Sequence, residues 1–445
     1  MGEWSLPNEQ TRQPDLLRLA TAGSVDDGKS TLVGRLLYDT KSVLADQIDA
    51  VTRASVDRGL ATPDLSLLVD GLRAEREQGI TIDVAYRYFA TPNRTFVLAD
   101  TPGHVQYTRN TVSGASTAQL VILLVDARKG VIEQTRRHAA VMALLGVPKL
   151  VLAVNKIDLV DDAAGVFDTI SAEFAELTTR LGWARSDVLE IPVSALHGDN
   201  IASRSPDTPF YDGPSLIEHL ESVPTDADSS GRHRVGLRLP VQYVIRPRTA
   251  DFPDYRGYAG QIAAGTVSQG DEVVVLPSGV RSTVERIDTA DGELSDAQPG
   301  RSITLVLADD VDVSRGDIIA AAADAPEPVD SFDATVCWLG DKPLRPGARL
   351  LLKHGTRTTQ AIVGALPERF DEQRLAADPD PESLELNDIG RISLRVADPI
   401  IADDYRVNRH TGSFLLIDPS GGNTLAAGLV GDVLSSVEVG TETGG

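Results

Sequence analysis

A doubly wound α/β domain followed by two β-barrels is the architecture the sequence predicts, and three patterns predict it. A glycine-rich run ending in Gly28-Lys29-Ser30 stands between a short apolar strand and a helical repeat. Apolar strands then alternate with helical stretches from Leu16 to about Val223, as in a mostly parallel sheet covered on both faces. Beyond the breaker-rich stretch Pro224 to Gly231, short alternating strands separated by glycine turns take over, which is the pattern of closed barrels.

Length and charge bound what such a chain does. The 445 residues exceed what one core organises, since single cores stop growing near about 250–300 residues. Composition, 42% hydrophobic and 24% charged, is that of a folded chain rather than a disordered one. A net charge of −23 argues against a broad surface for nucleic-acid phosphates, so no nucleic acid is expected as a partner. The stretch Met1 to Pro14 lacks an apolar signal core and no run of about 18 apolar residues occurs, so a cytoplasmic protein without a membrane segment is expected. The single cysteine, Cys337, sits in an apolar strand-like run and reads as a core thiol.

The first element is the loop itself. Gly23, Ser24, Val25, Asp26, Asp27, Gly28, Lys29, Ser30 and Thr31 fit G-x-x-x-x-G-K-[ST], whose backbone amides curl around phosphate oxygens. Lys29 is expected on the β and γ phosphates and Ser30 on Mg²⁺. Leu16 to Ala22 before it reads as a strand, and Leu32, Leu36 and Leu37 after it recur at helical spacing. Next comes Gly79-Ile80-Thr81-Ile82, where the Thr81 hydroxyl completes the Mg²⁺ shell only while a γ-phosphate is present. The strand Thr95 to Ala99 then ends in Asp100, Thr101, Pro102, Gly103 and His104. Its position at a strand's carboxyl end suits Asp100 to hold Mg²⁺, through water, and Gly103 to sense the γ-phosphate.

Further strands follow at Gln119 to Val125, Lys149 to Val154 and Val188 to Val193, with helices over Glu133 to Leu145 and Val166 to Leu181. Asn155, Lys156, Ile157 and Asp158 end the second of these strands, and the Asp158 carboxylate matches the paired donors that guanine presents and adenine lacks. Ser194, Ala195 and Leu196 end the third and offer backbone to the guanine oxygen. Five elements in this order make the first domain a GTPase domain using GTP and Mg²⁺.

The domains are expected at residues 15–224, 232–325 and 330–440. In the first barrel, strands are read at Leu239 to Ile245, Gly257 to Ala264, Asp271 to Leu276, Val280 to Ile287 and Ser302 to Leu307. Ala321 to Val329, rich in Ala, Pro and acid, separates the second block. Within it Glu368 to Asn387 reads as an inserted surface loop, and Ser420-Gly421-Gly422-Asn423-Thr424 as a hairpin turn.

With these motifs in order the chain resembles the translation-factor class of GTPases. Elongation factors usually carry His-Val-Asp-His or His-Val-Asp-Ser in the phosphate loop, whereas this chain has Ser24-Val25-Asp26-Asp27. Gly23 to Arg35, Ala74 to Phe89, Asp100 to Asn110, Pro240 to Pro247, Tyr255 to Gly260 and Arg409 to Phe414 are similar to the large GTPase subunit of bacterial ATP sulfurylase, sulfate adenylyltransferase subunit 1. That resemblance implies coupling of GTP hydrolysis to formation of adenosine 5′-phosphosulfate and pyrophosphate, with adenylyl transfer on a small catalytic partner subunit. It also implies that His104 orients the attacking water and that Lys29 and Thr81 share in catalysis. Arg76, Arg109 and Arg128 lie near the motifs, and none is assigned as an arginine finger. Some members of the family continue into an adenylylsulfate kinase; no second phosphate loop follows here to Gly445, which leaves a stand-alone subunit and a chain divided before the kinase as alternatives. A tRNA-delivering elongation or termination factor shares the three-domain plan, but the charge and the barrel segments weigh against it. A GTP-regulated scaffold without metabolic output is a third reading.

Overall fold

The computed structural model describes residues 16–57, 59, 63–69, 84–102, 108–224, 235–247, 254–371, 374 and 376–433. They fall in two compact units, Met1–Ala227 and Asp228–Gly445.

In the first unit strands β1 (Leu16–Gly23), β2 (Ala85–Ala90), β3 (Thr95–Asp100), β4 (Leu120–Asp126), β5 (Lys149–Asn155) and β6 (Val188–Val193) form one sheet in the order β2-β3-β1-β4-β5-β6. All its pairings are parallel except β2 with β3. The strands are apolar along their whole length because both faces are covered: β4 is buried at every residue. The register aligns the carboxyl ends, with Thr21 beside Asp100, Gly23 beside Leu124, and Asp126 beside Asn155, which is beside Val193. Every motif that ends a strand therefore emerges at the same edge of the sheet.

Helices α1 (Lys29–Asp39), α2 (Ala45–Asp57), α3 (Thr108–Ala115), α4 (Glu133–Leu144) and α5 (Ala163–Arg180) connect the strands, and α6 (Leu216–Ser222) follows the last of them. Leu32 and Leu36 of α1 pack fully buried against Leu17, Leu19, Phe96 and Leu98, each such side chain contributing about 2 kcal/mol. Helix α5 begins earlier than its apolar pattern, because the Asp162 carboxylate accepts the Gly165 amide at 3.0 Å and caps the first turn. Helix α6 is fixed by a reciprocal box between Ser215 and Glu218. Nothing in the periodicity of α2 marks it, since only Val51 and Ser55 are buried. The segment expected to join the halves falls mostly at 225–234, outside the described residues.

The second unit holds two closed sheets. In the first, β7 (Arg238–Pro240), β8 (Tyr243–Ile245), β9 (Gly257–Gln261), β10 (Val267–Ser268), β11 (Glu272–Leu276), β12 (Val280–Thr289), β13 (Gly292–Leu294), β14 (Asp296–Ala297), β15 (Ser302–Leu307) and β16 (Ile318–Ala321) appear in chain order. The ring runs β7-β16-β11-β12-β15-β9. It closes where the Arg238 amide donates to Ala264 O at 2.9 Å and the Ala263 amide to Arg238 O at 2.8 Å. The expected strand Leu239 to Ile245 is thus two, broken at Val241-Gln242 where the chain leaves one neighbour for another.

The second ring contains β17 (Val329–Trp338), β18 (Arg349–His354), β19 (Arg357–Val363), β22 (Ile389–Ile400), β23 (Ser413–Ile417) and β24 (Thr424–Val430), closed by the pairing of β17 with β22. Cys337 lies on β17 as expected, though it is half-buried rather than enclosed in the core. The segment Glu368 to Asn387 is more ordered than a surface loop: β20 (Glu368–Asp371) and β21 (Ala376–Pro379) make a hairpin added to β22. Its acidic residues face Arg369 and Arg374, with Arg369 Nη2 at 2.9 Å from Asp378, so cross-strand ion pairs replace the apolar alternation that usually reveals a strand. Ser420 to Thr424 is a hairpin turn between β23 and β24, where the Asp418 carboxylate accepts the Ser420 amide at 3.0 Å.

Within this unit Arg238 joins the rings. Its guanidinium is 3% exposed and meets both oxygens of Asp403 at 3.2 Å, while Thr356 Oγ1 donates to Val241 O at 2.9 Å. Replacing Arg238 by Ala leaves Asp403 buried without its counter-charge, and the second unit should lose about 3 kcal/mol. Urea unfolding of the full chain checks this; an unchanged midpoint for that unit contradicts it.

Candidate functional site

The phosphate loop is shaped before any ligand is considered. Gly23 has φ 151°, and a Cβ there would meet Leu124 O at 2.9 Å; Gly28 has φ 95°, and its Cβ would meet Asn155 Nδ2 at 2.3 Å. Both positions admit only glycine. The helix α1 starts at Lys29, so its free amides face the loop as an anion site. Lys29 is buried, with Nζ donating to Gly23 O at 2.9 Å and Ser24 O at 2.8 Å. Burial lowers its pKa, opposed by the charges of Asp100, Asp27 and Asp26.

Asp100 ends β3 fully buried and accepts Thr21 Oγ1 at 3.0 Å, while Thr101 Oγ1 donates to Thr21 O at 2.6 Å. Thr21, two residues before Gly23 on β1, thereby fixes the Asp-Thr-Pro segment to that strand. Pro102 is buried beside them. Gly103 and His104 lie outside the described residues, as do Gly79 to Ile82 with Thr81, and Arg76.

The segment Asn155 to Asp158 is tied to the loop by one side chain. Asn155, 2% exposed, donates from Nδ2 to Asp27 O at 2.7 Å and accepts the Ala195 amide on Oδ1 at 2.9 Å. Lys156 has φ 61°, donates to Asp26 O, and lies 3.0 Å from Asp126. Ile157 is buried, and Asp158 sits on the single turn Ile157–Leu159 with His197 Nε2 3.7 Å away. Arg35 of α1 holds Ser194-Ala195-Leu196 from the other side, donating to Ala195 O at 3.2 Å and to Leu196 O. The three segments expected to form a pocket are therefore mutually bonded.

Three participants escape motif reading. Asp126, at the end of β4, binds Arg128 at 2.6 Å and Lys156 at 3.0 Å; burial pushes its carboxyl up, but the Arg128 and Lys156 bonds outweigh that and hold it well below the usual carboxylate range. Arg128 is thus committed to Asp126. Lys129 approaches Asp27 at 3.6 Å. His138 of α4 is fully enclosed, and burial followed by the nearby charges of Lys29 and Arg137 lowers its pKa to about 3. Only the strand-end acid of Asp126 leaves a trace in the sequence, as an Asp following an apolar run.

Residues 14–230 match the family described as elongation factor Tu GTP binding domain, and residues 331–431 the family described as GTP-eEF1A C-terminal domain-like. The chain is 55% identical over 416 residues to "Bifunctional enzyme CysN/CysC" of Mycobacterium tuberculosis (strain CDC 1551 / Oshkosh), covering 93% of this chain and 67% of that one. It is 47% identical to "Sulfate adenylyltransferase subunit 1" of Bacteroides fragilis (strain YCH46), covering 95% and 87%. A protein of the same name from Methylorubrum populi is 48% identical over 95% of this chain and 88% of that one. The α/β GTPase domain followed by two β-barrels is the fold of this chain, and its first domain is a guanine-nucleotide-binding one.

Asn155→Ala removes two buried hydrogen bonds at once and should weaken GDP binding by about 2–3 kcal/mol, read by calorimetric titration. An unchanged affinity would show that the tie is dispensable. The buried His138 has a folded pKa of about 3 against 6.5 unfolded, so the native state binds fewer protons and stability declines as pH falls from 6.5 toward 3. His138→Met should flatten that decline in urea midpoints measured across this range; an identical slope refutes the assignment.

Proposed function

This chain belongs to the sulfate adenylyltransferase subunit 1 family, and from that premise we propose that it couples GTP hydrolysis to formation of adenosine 5′-phosphosulfate and pyrophosphate from ATP and sulfate. The adenylyl-transfer site lies on a smaller partner subunit in this reading. The observation that supports it most is the 47–48% identity to proteins named sulfate adenylyltransferase subunit 1 over 95% of the chain, and the two hydrogen bonds of Asn155, which tie the phosphate loop to the Ser194 to Leu196 segment, support the nucleotide site itself.

Each residue has a proposed part. Lys29, already aimed across the loop mouth by two carbonyls, exchanges them for the β and γ phosphate oxygens, while the amides of Gly23 to Thr31 surround the phosphates. Asp158 accepts from the guanine edge, Ile157 and Lys156 flank it, and Ser194 to Leu196 face the guanine oxygen. Gly103 senses the γ-phosphate and His104 orients the attacking water.

Mg²⁺ fits the donors present: a hydroxyl at Ser30 and a buried carboxylate at Asp100 are hard oxygen ligands. An ion there would be held largely by phosphates and water. Ser30, Asp100 and Thr81 are the residues that would hold the ion, which when bound would supply neutralisation of charge developing on the phosphates. The domain limits proposed are 15–224, 232–325 and 330–440. No helix among the described residues is long and apolar enough to cross a membrane; a cytoplasmic setting and the absence of nucleic acid among the partners belong to the proposal.

The test is pyrophosphate release from ATP and sulfate by the chain together with a small adenylyl-transferase subunit of a relative, with and without GTP. Stimulation by GTP is expected, and protection of aminoacyl-tRNA without such stimulation would favour a translation factor instead. Asp158→Asn should move preference from GTP toward xanthosine triphosphate by on the order of 10²-fold, because guanine then meets an amide donor in place of an acceptor. Retained GTP preference would dismiss the role of Asp158.

A further inference from the structure

Asp27 is an acid placed where a nucleotide's phosphates must arrive. It is 2% exposed. Its Oδ2 accepts the Ser24 amide at 2.7 Å, so one loop amide already serves the loop's own carboxylate. Its backbone carbonyl accepts Asn155 Nδ2 at 2.7 Å. Oδ1 is buried, accepts no hydrogen bond among the described residues, and points to Lys129 Nζ 3.6 Å away. Burial pushes the Asp27 carboxyl up, while the Ser24 amide, Lys29 and Lys129 draw it down and Asp126 raises it.

Of the described cations around it, only Lys129 is uncommitted to another task. Lys29 is held by Gly23 O and Ser24 O, and its charge passes to the phosphates once a nucleotide binds. Arg128 and Lys156 neutralise Asp126. Lys129 is delivered by the turn that follows β4, closed by the amides of Lys129 and Gly130 donating to Asp126 O at 2.9 and 3.1 Å, with Gly130 at φ 68°.

We propose that Lys129 is a positioning residue of the phosphate loop: it neutralises the buried Asp27 carboxylate so that the loop accepts a nucleotide's polyphosphate without an uncompensated negative charge beside it. The inference rests on the guanine-nucleotide reading of this site. Lys129 keeps 41% of its side chain exposed, so solvent screens the pair and the effect is a graded loss of affinity rather than its abolition.

The experiment is GDP binding to the full chain, followed with a fluorescent GDP analogue in four variants. Lys129→Met should weaken binding roughly tenfold, and Lys129→Arg should restore most of it. In the Asp27→Asn background, which keeps an acceptor for the Ser24 amide but removes the charge, Lys129→Met should cost less than about twofold. Equal binding by Lys129→Met and the unaltered chain, or the same loss in both backgrounds, overturns the proposal, the second outcome because a packing role for Lys129 does not depend on the charge of residue 27. If the unaltered chain binds no GDP, the guanine-nucleotide reading itself falls.

Discussion

Two hydrogen bonds from the Asn155 side chain hold this site together. The phosphate loop, the turn at Asn155 to Asp158 and the Ser194 to Leu196 segment leave three different strands, and parallel register alone brings them only to a common edge of the sheet. Distances of a few tenths of an ångström decide whether phosphates and base are met simultaneously. Asn155 supplies that last adjustment because an amide is both donor and acceptor, with Nδ2 on Asp27 O and Oδ1 on the Ala195 amide. A carboxylate of the same shape would meet the Asp27 carbonyl with a second acceptor. The absence of a Cβ at Gly28 is the other half of the arrangement, since any side chain there would occupy the space of Asn155 Nδ2.

Around this tie the charged groups are distributed in pairs rather than scattered. Asp126 takes Arg128 and Lys156, Asp27 takes the Ser24 amide and Lys129, and Lys29 rests on carbonyl oxygens. With Lys129 counted, the loop's charges, Asp26 and Asp27 against Lys29, balance although the whole chain carries −23. A strongly acidic protein that binds a polyphosphate needs this local balance, because buried charges without partners cost several kcal/mol each. His138, held neutral beneath the same loop, fits the pattern by adding no charge.

Much of this was legible in the residues, and what was not has physical reasons. Strands β3 to β6 appear as apolar runs because both sheet faces are buried, and Asp100, Asn155 and Asp158 stand out because each follows such a run. Ser302 to Leu307 is found to the residue, since its alternation is clean. Side-chain ties across the sheet leave no periodic trace, so Asn155 is readable as a motif member but not as a bridge to Asp27, 128 residues away in sequence. The bond of Arg238 to Asp403 spans 165 positions and is equally silent. Helix α2 and the hairpin β20–β21 were hidden for the opposite reason, because they bury too little to impose a pattern.

Closure of the two rings also governs how the protein behaves in crowded solution. An open sheet ends in a row of unpaired amides and carbonyls that another chain can extend, strand upon strand. Here each ring closes on itself, and in the first the three-residue strand β8, paired among the described residues with β9 alone, stands outside the closure. The hairpin added to β22 reintroduces a border at β21, and that border ends in Asp378 and Pro379, a charge flanked by arginines and a residue with no amide to offer. The β-rich half is in this way blunted against templated self-association at this border.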